Sequence, residues 1–98
     1  MAFIQIIEFR TSRTDELRRH VEEWERSTQG RRKARRRVLC QDRENPGRYL
    51  NLVFFDSYDD AMANSTLPET DALATQLREL ADGAPNFYNL DVEDDREM

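Results

Sequence analysis

Residues 48–55, Arg48-Tyr49-Leu50-Asn51-Leu52-Val53-Phe54-Phe55, follow the turn Glu44-Asn45-Pro46-Gly47 and decide how the chain folds. Six of these eight residues are β-branched, aromatic or Leu, and a Pro-Gly turn bounds them, which predicts a β-strand. Arg48 is the only charge in the stretch, while the chain as a whole is 36% charged. Both faces are therefore expected to be covered, which places this strand in the middle of a sheet. Tyr49, Asn51, Val53 and Phe55 point one way, and Leu50, Leu52 and Phe54 the other. The second set reads as a plain core face. The first carries an amide and a phenol hydroxyl, as a covered surface does when it is not wholly dry.

The 98 residues fit a single domain, 1–98, near the low end of what can hold one core. Hydrophobic residues make up 38% and the mean hydropathy is -0.91, so that core is expected to be thin. A thin core in a chain with clear strand patterns points to burial completed by a second copy, a homodimer. The net charge of -5 comes from 15 basic and 20 acidic residues interleaved along most of the chain, which argues against disorder. Cys40 is the one cysteine and cannot close an intramolecular disulfide, so nothing marks an oxidising compartment. The chain does not open on a basic segment followed by a long apolar one, and no apolar run approaches ~18 residues. The expectation is a soluble, cytoplasmic protein with no membrane partner.

Working outward from the central strand, Ala2 to Phe9 (AFIQIIEF) reads as a first strand, with Ile4 and Ile6 on one face and Phe3, Gln5, Ile7 and Phe9 on the other. Ser12, with Asp15 three residues on, is expected to open a helix. Leu17, Val21, Trp24 and the methyl of Thr28 follow at amphipathic spacing, and Gly30 ends the helix. The pairs Arg18–Glu22, Arg19–Glu23 and Glu22–Arg26 lie on the outer face. At ~0.2–0.5 kcal/mol each they do not dock the helix, so the apolar stripe must. Ala34 to Gln41 reads as the strand before the turn. Turn length suggests a register pairing Asp42 with Tyr49, Cys40 with Asn51, Val38 with Val53 and Arg36 with Phe55. That register would put Arg36, Val38 and Cys40 on the Tyr49/Asn51 face.

Past Phe55, Ser57 with Asp60 starts a short helix from about Tyr58 to Ser65. Thr66-Leu67-Pro68-Glu69 has the form of a T-x-x-E capping box with Pro in the first turn, so a longer helix follows. Leu73, Leu77 and Leu80 are its buried stripe and Gly83 closes it. Phe87 to Val92 alternates as a last strand, and residues 93–98 form an acidic tail expected to fray. The order is β-α-β-β-α-β with the second helix broken in two. That is an α+β, ferredoxin-like arrangement, an antiparallel sheet with both helices on one face. The bare face is expected to include Phe3, Ile7, Phe9, Val38, Val53 and Phe55, too much apolar area for water. Packing two such sheets face to face closes a dimeric α+β barrel.

With FIQIIEF opening the chain, PGRYLNLVFFDSYDDAMANS after the hairpin and FYNLDV at the end, the sequence resembles the dimeric α/β-barrel superfamily over almost its whole length. Within that superfamily it is similar to the antibiotic-biosynthesis-monooxygenase-like (ABM-like) proteins. The resemblance implies one of several tasks: oxygenation of aromatic polyketides without a cofactor, haem degradation, or no known activity. The haem-degrading branch carries an Asn on the first strand, a Trp ending the third and a His on the following helix. Ile7, Phe55 and Asn64 stand at those places here, so no haem site and no other cofactor is expected. The polyketide-oxygenating branch lines its pocket with Asn, Tyr, Trp and Arg. Asn51, Tyr49 and Arg36 match three of these, while the only Trp, Trp24, lies on the first helix.

The residues themselves point the same way. A polar side chain on a strand otherwise apolar on both faces must be hydrogen-bonded or wet. Asn51 and Tyr49, with Arg36 if it turns inward, are the candidate catalytic residues. Phe55, Val53, Val38, Ile7, His20 and Trp24 are candidate ligand contacts. The alternative for Asn51 and Tyr49 is pairing across a dimer interface or with buried water. His20 as a general base competes with a plain helix-border histidine, and Cys40 as nucleophile lacks a recognisable base, leaving a small buried hydrophobe. With one His and one Cys no metal site is expected. The run Arg31–Arg37, basic at six of seven positions, invites a nucleic-acid reading. It lacks interleaved aromatics, and an edge strand blunted by charge accounts for it, so no nucleic-acid partner is expected.

These readings converge on a homodimeric barrel that binds a small, flat, largely apolar molecule between helices and sheet or inside the barrel. Its leading concrete version is a cofactor-independent, monooxygenase-like enzyme acting on an aromatic, polyketide-like substrate. Such chemistry needs an acidic, phenol-type substrate and groups that hold its anion and oxygen in a water-poor site. The rival is a non-catalytic barrel whose interior is only a filled dimer interface.

Overall fold

Residues 48–55 form a strand with neighbours on both sides, as their lack of charge predicts. A computed structural model describes residues 2–98 and orders them as β1 (Phe3–Arg10), α1 (Thr14–Ser27), β2 (Arg36–Gln41), β3 (Arg48–Phe55), α2 (Tyr58–Ser65), α3 (Pro68–Leu80) and β4 (Asn86–Asp91). The sheet is antiparallel throughout, in the order β2-β3-β1-β4, which leaves the two strands of mixed composition at the edges. All three helices are on one face. α1 and α3 pack on each other over Phe9, Leu17, Leu77 and Leu80, with Ile7, Val21, Leu39 and Tyr49 around them. α2 caps a second cluster of Phe3, Phe55 and Ala61, joined by Val53 and Met62.

The helix-covered face is therefore the one that carries Phe3, Ile7, Phe9, Tyr49, Asn51, Val53 and Phe55, which corrects the expectation that most of these form the bare face. The bare face belongs to Ile4, Ile6, Leu50, Leu52 and Phe54, the set that reads from sequence as plain core. Both sets are apolar enough to be buried, so alternation alone does not say which one the helices choose. The β2–β3 register is corrected too. Gln41 pairs with Tyr49, Leu39 with Asn51, Arg37 with Val53 and Arg36 with Phe54, one residue away from the register expected from the turn. A slip of one residue sends every side chain to the other face. Arg36, Val38 and Cys40 thus lie on the bare face, and Arg37, Leu39 and Gln41 under the helices. The cause is a six-residue connection, residues 42–47, closed by the Asp42 amide donating to the Arg48 carbonyl at 2.9 Å, with Gly47 at φ 91°.

Helix starts follow the expected chemistry in one case of three. The Ser57 hydroxyl accepts the Asp60 amide at 3.1 Å and caps α2. Pro68 is the first residue of α3, but Thr66 donates back to the Ala63 carbonyl at 2.7 Å instead of capping forward. Ser12 does not open α1. Instead the buried Thr11 hydroxyl accepts the Arg13 amide at 3.0 Å and donates to the Leu80 carbonyl at 2.9 Å, tying the end of β1 to the end of α3. Asn64, 6% exposed on α2, accepts the Lys33 amide at 3.0 Å and pins the basic loop before β2.

On the bare face one carboxylate stands among apolar side chains, and it is well partnered. Glu8 Oε1 accepts from Asn86 Nδ2 at 3.1 Å and from the Tyr88 hydroxyl at 3.0 Å. Its Oε2 accepts from Arg48 Nε at 2.7 Å and from the same guanidinium's Nη2, while Arg48 Nη1 donates to Asp42 at 3.0 Å. The Arg48 guanidinium, followed by the Asn86 and Tyr88 donors, holds the Glu8 carboxyl below the usual carboxylate value near 4.5. A carboxyl lowered on folding contributes stability above its unfolded value and loses it as pH falls through the lowered folded one. Glu8→Gln is therefore expected to flatten part of the acid limb of stability below about pH 4.5 in urea titrations. An acid limb identical to that of the parent protein would remove the cluster's role.

Candidate functional site

Where α1 and α3 diverge above β1, β2 and β3, the packing leaves a groove of about 620 Å³. Volumes of a few hundred to a thousand Å³ suit small molecules. Strand alternation supplies its floor: Ile7 and Phe9 from β1, Leu39 and Gln41 from β2, Tyr49 and Asn51 from β3, with Phe87 at the β4 edge. The amphipathic stripes supply its walls, Leu17 and Val21 from α1 and Leu73, Ala74 and Leu77 from α3. Arg18, Glu22, Arg37, Thr70 and Asp71 also line it. Arg37 is held by Glu25 at 3.0 Å.

Gln5, Gln41, Tyr49 and Asn51 bring polar groups to this floor, the last two from the central strand. The Tyr49 hydroxyl lies 3.0 Å from the Thr14 hydroxyl in the first turn of α1, and its ring stacks on Phe9 at 5.6 Å between centroids. Asn51 sits between Leu39 on β2 and Ile7 on β1. Its Oδ1 is buried and has no hydrogen-bond partner among the described residues. Leaving a buried acceptor empty costs about 1–3 kcal/mol, so a position like this is occupied by water or by a guest that donates. An Asn amide also carries two donor hydrogens, so the same side chain can accept from a phenol and donate to a phenolate.

Of the residues singled out from sequence, Asn51, Tyr49 and Ile7 meet in the groove. Val53 and Phe55 share its face but lie in the cluster beneath α2. Arg36 and Val38 are on the opposite face, and Arg36 stacks its guanidinium 5.3 Å from the Phe54 ring. Trp24 turns from the groove to α3, where its Nε1 donates to the Thr70 hydroxyl at 2.9 Å, and Arg32 covers its ring at 5.7 Å. His20 is half-buried on α1 and does not line the groove. Leu39, Gln41 and Arg37 were missed because of the register slip. Thr14 was missed because only tertiary packing brings the first turn of α1 to Tyr49. Half of the basic run pairs with carboxylates of the chain: Arg31 with Glu69, Arg35 with Asp56 and Arg37 with Glu25.

No protein-family model matches the sequence, and none of the curated proteins does. Solved structures do match in shape. SnoaB, a cofactor-independent oxygenase from Streptomyces nogalater, is 14% identical and superposes with a TM-score of 0.80 over 96% of this chain and 95% of that one. An antibiotic biosynthesis monooxygenase, 12% identical, gives 0.73 over 94% and 98%. A conserved protein from Methanosarcina mazei, also 12% identical, gives 0.80 over 92% and 91%. The chain thus shares the ferredoxin-like fold of these structures, several of them described as antibiotic biosynthesis monooxygenases. At these identities the likeness is one of fold.

Proposed function

We propose that the groove between helices and sheet binds a small, flat, largely apolar molecule carrying a phenol-type hydroxyl. The observation that carries this is the buried, unpartnered Oδ1 of Asn51 on a floor it shares with Ile7, Leu39, Tyr49, Gln5 and Gln41. Ring faces would lie against Ile7, Leu39 and the helix stripes, and the hydroxyl would complete the hydrogen bond that Asn51 lacks. As an enzyme the protein would be a cofactor-independent, monooxygenase-like oxygenase, as one of its fold neighbours is described. Asn51 Nδ2 and the Tyr49 hydroxyl would then hold the substrate's anion. Glu22 and Asp71 are the carboxylates that border the groove, and no histidine does. A non-catalytic binding protein would use the same groove without turnover.

A panel of phenols, naphthols and their quinones tests this. Binding phenols are expected to raise the melting temperature and to appear in crystals with oxygen within about 3 Å of Asn51. Oxygen uptake under air separates enzyme from binder. Failure of every phenol to bind, with the groove still open in the crystal, would overturn the reading.

We also propose that the bare face is the homodimer interface. Tyr88 and Leu90 on it are 45% and 44% exposed, beside Ile4, Ile6, Leu50, Leu52 and Phe54. Every 100 Å² of such surface left in water forgoes about 2.5 kcal/mol. The Glu8 network satisfies the bare face's carboxylate before any partner arrives, so covering that network strands no unpaired carboxylate. No helix among the described residues is long and apolar enough to cross a membrane. With its single thiol exposed at Cys40, we place the protein in the reducing cytoplasm.

A further inference from the structure

The bare face has opposite charges on its two edges at the same end of the sheet. β2 begins at Arg36, which pairs with Phe54, and Arg35 continues the ladder by donating its amide to the Phe54 carbonyl at 2.8 Å. β4 reaches the same end from the other side: Leu90 pairs with Ile4, which pairs with Phe54, and Val92 donates its amide to the Ala2 carbonyl at 2.9 Å. The chain then runs on as Glu93-Asp94-Asp95-Arg96-Glu97, all exposed. Within one sheet the two edges are three strand spacings apart, about 14 Å, more than the ~10 Å over which exposed charges act at moderate salt. The acidic segment therefore leaves the basic end of its own β2 unanswered. Arg36 is exposed and pairs with no carboxylate among the described residues, and Arg35 has only the exposed Asp56 pair, worth little.

We infer that, in the homodimer proposed above and resting on that reading, each acidic segment crosses onto the Arg35–Arg36 end of the partner's β2. An isologous interface must be complementary to itself. A two-fold axis lying between the sheets and parallel to the strands lays β4 of one copy over β2 of the other and keeps each end over the same end. That axis brings acid onto base twice. An axis across the strands would not, because it sets the Arg36 end over the Glu8–Arg48 end. Area argues the same way. Four strands at ~4.8 Å and six residues at ~3.3 Å give a footprint of roughly 400 Å². A standard interface buries about 800 Å² of accessible surface from each partner, and segments that run on beyond the sheet would add to what this footprint offers. Residues 93–97 are the exposed stretch next to the face.

The test uses charge reversal in two full-length variants, one with Glu93→Lys, Asp94→Lys and Asp95→Lys, the other with Arg35→Glu and Arg36→Glu. Alone, each sets like charges together at both contacts, and its dimer dissociation constant is expected to rise roughly tenfold to hundredfold at low salt. Mixed one to one, each acid meets a base again, and sedimentation should show the dimer restored as a heterodimer, with the difference fading in 0.5 M salt. Variants that each dimerise like the parent overturn the crossing while leaving the dimer itself standing. Variants that stay weak when mixed also overturn it, since the charges then act within one chain. A parent protein that is monomeric at these concentrations removes the dimer reading and the crossing with it.

Discussion

Leu52→Glu is expected to turn a micromolar dimer into a folded monomer. Leu52 lies in the middle of the bare face, in a row with Val38 on β2, Ile6 on β1 and Tyr88 on β4. In a single chain its side chain meets water, so a carboxylate there costs the monomer little. Its back is turned to the helix-side core of Phe9, Leu17, Leu77 and Leu80, which the change does not touch. In a face-to-face pair the same carboxylate enters an apolar layer with no cation within the row, and symmetry does this twice. Burying an unpaired charge costs several kcal/mol, so the dissociation constant should rise by about a thousandfold or more. Sedimentation equilibrium reads the change, and circular dichroism should show the helices intact. A Leu52→Glu protein that remains dimeric would place the interface on another surface. A parent protein already monomeric at micromolar concentration would leave the bare face without an occupant.

The sequence carried the element order because each strand announces itself locally. Residues 48–55 match their strand at both ends, and Tyr58–Ser65 matches its helix, with Ser57 as the cap. What it did not carry is which side of the sheet the helices take. β1 and β3 are apolar on both faces, the helix-side face being covered within the chain and the other left bare, so hydrophobicity has no asymmetry to read. The β2 register has the same character. The edge strand Arg-Arg-Val-Leu-Cys-Gln offers an apolar residue to either face, and the six-residue connection, not the pattern, decides which. One slipped residue then exchanged Arg36, Val38 and Cys40 for Arg37, Leu39 and Gln41. Asn51 and Tyr49 were legible all the same, because a polar group on a central strand stands out on either face. Phe87 and Thr14 join them only through tertiary packing, which no local spacing encodes.

Asn51→Leu should move stability and ligand response in opposite directions. Without ligand, the parent chain holds a buried acceptor with no partner among the described residues, between Leu39 and Ile7. Replacing it with an apolar group of similar size removes an unmet demand for a hydrogen bond, so the ligand-free variant is expected to be as stable as the parent or up to about 1–3 kcal/mol more stable. With a phenol that binds the parent, the picture reverses. A ligand at a hundredfold excess over its dissociation constant stabilises the folded state by about 2.7 kcal/mol, and the variant should lose most of that. Thermal melts with and without the phenol, alongside sedimentation, read both effects in one series. A variant that keeps the full ligand response shows that the hydroxyl is held elsewhere. A variant that is less stable without ligand shows that Asn51 is already satisfied within the protein, by bound water. Either result takes the groove's central polar contact away from Asn51. The expected pairing of unchanged or raised ligand-free stability with a lost response is one that a purely structural asparagine does not produce.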